Sequence, residues 1–141
     1  METIIDHHRI IAACIARVFL GLLFFFQGYD AVVNVEVKNV IATFQNSFAN
    51  KGIPKFLTAF GAWFTSYAEL IGGFLLTLGL FQYGAMYLLG LNLIVASIGF
   101  GITMPMWETK HVFPRLILLL FLLMIPHAWN AWSFDNLLFN H

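Results

Sequence analysis

The stretch SYAELIGGFLL, residues 66–76, decides how the chain is read, because it sets Glu69 in the middle of an apolar run. A carboxylate at the centre of a lipid-embedded helix costs roughly 2.5–3.5 kcal/mol on insertion scales, so it needs a partner or a use. The composition around it indicates lipid. Hydrophobic residues make up 60% of the 141 and charged residues 10%, against about 45–50% and about 25% in soluble domains. Sixteen Phe and four Trp add to a lipid-facing surface. The formal net charge is zero, which removes the basic field that nucleic-acid binding requires.

Working outward from Glu69, four stretches are long and apolar enough to span, at about 8–33, 55–81, 83–103 and 113–132. Thr3 and Asp6 offer a capping box before the first, and Pro114 suits the opening turn of the fourth. Arg9 followed by the apolar run 10–26 resembles a signal sequence. The run ends in Gln-Gly-Tyr-Asp rather than a small-x-small site, so a retained spanning helix is expected.

Residues 35–50 differ. Val37, Val40, Ile41, Phe44 and Phe48 recur on one helical face between Glu36, Lys38, Asn39, Gln45 and Asn46. That spacing predicts an amphipathic helix lying in the interface or capping the bundle, ended by Gly52 and Pro54. The expected fold is an all-α integral membrane four-helix bundle, a single domain over 1–141. Lys38, Lys51, Lys55, Lys110 and Arg115 fall in two loops, with only Arg9 opposite. The positive-inside rule then places both termini outside.

Arg17, Glu69 and Asn92 each lie near the middle of their own apolar run. The expectation is that Arg17 and Glu69 meet and offset each other's desolvation, with Asn92 completing the polar centre. The pair either fixes helix register alone or also binds or relays something. Gly21 and Gly28 share the Arg17 face, and Gly72 and Gly73 the Glu69 face, so these small residues let the helices approach closely. Lesser candidates are Gln27 and Asp30 at the end of the first span, His127 near the interface, and Asp135. Cys14 is the only cysteine, and the histidines lack ligand spacing, so no metal site is expected. Walker A, G-x-S-x-G and H-E-x-x-H motifs are absent, and no catalytic residue is assigned.

Three places carry a family resemblance. ARVFLGLLFFFQG places Arg17, Gly21 and Gly28 in a first-helix pattern; AELIGGFLLTLGLF places Glu69, Gly72, Gly73, Gly79 and Leu80 in a second-helix signature; WSFDNLL ends on Ser133, Asp135 and Leu137. Together, over about residues 9–138, they resemble the DoxX family of small four-helix membrane proteins. Asp30 stands where that family often has lysine, and HAWNAW replaces its glycine-rich turn.

The resemblance implies a bacterial inner-membrane subunit, since named members accompany a thiosulfate:quinone oxidoreductase or sit in oxidative-stress complexes. More distant relatives act as assembly factors. The favoured function is therefore a subunit associated with a quinone or lipid-like ligand and redox partners, not an enzyme by itself. Its alternative is a non-catalytic accessory or assembly subunit of a larger membrane complex. No tightly bound cofactor is expected beyond a quinone. Expected partners are the bilayer, other membrane subunits or redox proteins, and further copies of the chain; a small transporter would need such a homo-oligomer.

Overall fold

No proline interrupts the first apolar stretch, and it folds as one long helix, α1 (Glu2–Tyr29). The computed structural model describes the backbone of residues 2–103 and 105–139. Side chains are described there except at 2, 3, 5, 6, 100, 105–111, 127, 130 and 139. Instead of a glycine cap, α1 widens into a π-turn, Asp30–Asn34, closed by Val35 N–H donating to Asp30 O at 2.9 Å. Glu36, at φ 68°, then reverses the chain into α2 (Val37–Ser47). The amphipathic helix thus occupies the middle of the expected 35–50.

Helix α3 (Lys55–Leu78) starts directly after Pro54. It ends where Gly79 takes a left-handed φ of 74°. Leu80 N–H donates to Leu75 O at 2.9 Å and Gly79 N–H to Leu76 O at 3.1 Å, the paired bonds of a Schellman motif. A side chain at Gly79 would be strained by that φ and would also strike Ser133 and Arg17. Three residues after Gly79, α4 (Gln82–Thr103) begins.

The fourth expected span needs correction. It was placed at 113–132, but α5 is Pro105–Met124. The described part of α5 begins at Pro105, and Pro114 lies inside the helix. Pro126 supplies the stop, because the residue before a proline is pushed out of helical geometry. Beyond it come a 3₁₀ turn, His127–Asn130, and α6 (Phe134–Phe139).

The long helices pack in sequence, α1 along α3, α3 on α4 and α4 on α5, while α5 returns to α1. α2 packs on α3. Leu20, Phe24, Leu76, Met86, Leu89, Leu119 and Leu122 fill the shared core. Along the α1–α3 seam, Gly21 lies against Thr77, Gly73 against Phe25, and Gly28 against Leu70 and Glu69. A Cβ at any of these three would fall on the neighbouring helix's backbone, so the two axes are close along their length. Gly72 faces the Leu89 side chain on α4 instead.

The protein is therefore all-α. Two segments among the described residues, His7–Asn34 and Gln82–Thr103, are long and apolar enough to cross a membrane, and Val112–Met124 is a shorter apolar helix. Large apolar side chains face outward on α1, α3, α4 and α5, among them Phe19, Phe26, Phe60, Ile94 and Ile117. In water such a belt would drive association; against lipid tails it is at ease.

Candidate functional site

Glu69 is only 7% exposed. Its α3 face turns inward because Ala62, Ser66, Glu69, Gly72 and Gly73 recur at helical spacing and all are buried. Ser66 does not compete for it, since its hydroxyl bonds back to Ala62 O at 2.8 Å. Two amides reach the carboxylate from neighbouring helices. Asn92 on α4 donates from Nδ2 to Oε1 at 3.1 Å, and Gln27 on α1 from Nε2 to the same oxygen at 3.3 Å.

This leaves acceptors unmatched. Among the described residues Glu69 Oε2 receives no hydrogen bond, and Asn92 Oδ1 is fully buried without a partner. A buried acceptor left so costs about 1–3 kcal/mol, a penalty that a donor from a bound molecule or water removes.

Glu69, Gln27 and Asn92 form the polar end of a cavity of about 830 Å³. Its walls are mostly apolar: Val40 and Phe44 of α2 and the capping Phe48 roof it, Leu57 comes from α3, and Leu93 and Ile98 from α4. Phe48 reaches as far as Gly99. α2 thus uses its apolar stripe to cover the gap between α3 and α4. Asp30, exposed and accepting from Asn34 Nδ2 at 2.9 Å, lies along the same cavity, as does Arg115 from α5. Arg115 sits over the Phe24 ring, 5.4 Å from its centroid. An apolar chamber of this size with a few converging polar groups has the form of a small-molecule site.

Sequence reading counted Arg115 only as a loop charge. Its signal was present in the periodicity, since Val112, Arg115, Leu119 and Leu122 share one helical face and the three apolar members are buried.

Arg17 is not part of this site, contrary to expectation. It is 3% exposed, yet among the described residues no hydrogen bond or ion pair joins it to Glu69. Nη1 donates to Leu76 O at 3.0 Å and Thr77 O at 2.9 Å, and Nη2 donates to Trp132 O at 2.7 Å. The first two are carbonyls at the C-terminal end of α3, where the helix leaves acceptors unpaired and carries partial negative charge. A guanidinium there is stabilised without any carboxylate. The expectation failed because the middle of an apolar run is not the level at which two helices cross.

The C-terminal motif closes the same corner. Asp135 accepts from Phe81 N–H at 2.7 Å and Gln82 N–H at 2.8 Å, capping the start of α4. Its own N–H donates to Gly79 O at 2.9 Å, and Gln82 Nε2 donates to Ser133 Oγ at 3.1 Å. Arg17 and Asp135 therefore bind the α3–α4 turn to the C-terminal segment. The His127 side chain lies outside the described residues. Among those described, no three His, Cys, Asp or Glu side chains gather as metal ligands.

With this geometry in view, comparison with known families gives one match: the DoxX model covers residues 12–104. The chain belongs to the DoxX family. It is accordingly a membrane protein. Of the DoxX-family stretch, Gln27, Glu69, Asn92 and the whole of α2 lie inside, whereas Arg115 and the Ser133–Asp135 motif lie beyond its end. No curated protein and no solved structure matches the chain.

Proposed function

We propose that this DoxX-family chain is a four-span subunit of a bacterial inner membrane that holds a quinone or similar lipid-like molecule in the α2–α3–α4 cavity. The observation that carries the reading is the cavity itself: about 830 Å³, apolar along its walls and ending on Glu69, Asn92 and Gln27. A prenylated ring matches that polarity profile, with the tail along Leu57, Leu93 and Ile98 and the ring oxygens toward the amides and carboxylate. With α2, Lys38, Lys51 and Lys55 in the cytoplasmic half and both termini outside, the cavity opens toward the cytoplasmic leaflet.

Reduction of a quinone takes two electrons and two protons. The Glu69 carboxyl is placed to pass a proton to or from a ring oxygen, and Gln27, at the exposed edge, orients it through its hydrogen bond to Oε1. Electrons come from a redox partner protein, so the chain works as a subunit and not as an enzyme by itself. Arg17 has no part in this chemistry.

The test is photocrosslinking of a benzophenone-tagged short-chain quinone to the purified protein, followed by peptide mapping. Labelling of α2 and of residues 57–69, with weaker labelling in Glu69→Gln, is the expected result. Labelling confined to outward residues such as Phe26 and Ile94 overturns the reading. A stoichiometric native complex without any redox enzyme would favour the accessory-subunit alternative.

A further inference from the structure

Building on the cavity reading, we infer that the head group seated against Glu69 is a neutral hydroxyl donor on a flat ring, so the site favours a phenol or quinol over a molecule carrying carbonyls alone. The argument is an inventory of donors and acceptors at the closed end. Each amide there, Gln27 Nε2 and Asn92 Nδ2, commits one of its two N–H hydrogens to Glu69 Oε1, and Asn92 is fully buried. Asn92 cannot turn its NH₂ toward the cavity without placing Oδ1 against a carboxylate oxygen, acceptor against acceptor. The acceptor left open to an incoming molecule is Glu69 Oε2, while Asn92 Oδ1 is unpartnered but buried. A bare carbonyl brings a second acceptor against Glu69 Oε2, whereas a hydroxyl supplies the missing hydrogen.

Charge selects further. An anionic head meets Glu69, with Asp30 along the same wall, and a cationic head meets Arg115. With both signs of charge on the same cavity wall, a neutral head suits the site best. The ring preference comes from α2, whose Phe44 and Phe48 stand with centroids 6.5 Å apart over the cavity.

Three probes of similar length separate these terms on the intact protein in detergent: 4-nonylphenol, its methyl ether 4-nonylanisole, and 1-dodecanol, which has a hydroxyl but no ring. Titration calorimetry should find the phenol tighter than the ether by about tenfold or more, as a hydrogen bond to a charged acceptor provides. The alcohol should be weaker than the phenol. In Glu69→Gln the phenol–ether ratio should fall to about threefold or less, the charge assistance being lost. Equal binding of phenol and ether overturns the donor inference while leaving the cavity reading in place. Absence of binding by all three overturns both. An alcohol that matches the phenol removes the ring requirement, and a ratio unchanged in Glu69→Gln moves the donor contact away from Glu69. The wild-type phenol–ether comparison decides the matter even if the variant does not fold.

Discussion

Arg17 and Glu69, buried charges on adjacent helices, stand on different levels: Gly28 lies beside Glu69, and the helix between positions 17 and 28 rises about 17 Å. Each has its own neutral partners, three backbone carbonyls for the one and two amides for the other. A double-mutant cycle of Arg17→Gln and Glu69→Gln should therefore be additive within about 0.5 kcal/mol, as sites without shared partners are. Thermal or denaturant unfolding in detergent measures it, and a coupling well above that value would restore the ion pair.

The same geometry predicts what Arg17 alone is worth. Its loss takes a charged donor from the Leu76, Thr77 and Trp132 carbonyls at a buried corner, of which Leu76 O keeps the Gly79 N–H. Arg17→Ala should destabilise the fold by roughly 3 kcal/mol. Arg17→Lys should recover only part, since one ammonium cannot reproduce the guanidinium fork. Ligand affinity of the folded fraction should not change, which separates a structural arginine from a binding one.

How far the sequence showed this arrangement differs residue by residue. Glu69 and Asn92 were readable, because each sits on a helical face whose other members are small or apolar. The start of α3 was readable from Pro54, and the expected start of the next span at 83 lies one residue from the observed Gln82. Arg17's partners were not, because backbone carbonyls at a helix end appear in every sequence and leave no residue-type signal. The fourth span was misplaced because Pro114 reads as an opening-turn proline, whereas it lies inside the helix. α2 was legible as amphipathic, but which gap its apolar face covers depends on the helix crossings, which lie outside any local pattern.

Close approach along α1 and α3 makes a sharp contrast among glycines. Gly28→Val places a branched side chain on the Leu70 backbone and should cost at least about 3 kcal/mol or abolish folding. Gly84 has open space where its Cβ would be, so Gly84→Ala should be neutral or stabilising by up to about 1 kcal/mol. Detergent-solubilised yield and melting temperature of the two variants report the difference.

Asp135 caps α4 from a distant part of the chain, giving one carboxylate oxygen to each of two backbone N–H groups. Asp135→Ala should cost about 1–2 kcal/mol, the usual loss of a helix cap. Asp135→Asn retains one acceptor and should lose roughly half as much. Truncation before Ser133 should resemble Asp135→Ala or exceed it, because it also removes the Ser133 bond to Gln82. Unfolding midpoints of the three proteins test the order.

The roof over the cavity yields the last prediction. Phe44 and Phe48 are half-buried, and α2 leans on α3 and the π-turn rather than on the central core. Shortening either ring should cost the helix packing little but should strip a wall from the bound molecule. If a ligand ring covers about 50 Å² of each, Phe44→Ala and Phe48→Ala should each weaken binding roughly tenfold. Phe60→Ala, an equal truncation of an outward ring on α3, should leave affinity unchanged. Titrating all three variants with 4-nonylphenol gives the answer. Equal losses at Phe60 would mean that the probe partitions onto the apolar belt, and undiminished binding at Phe44 and Phe48 would mean that α2 covers nothing that binds.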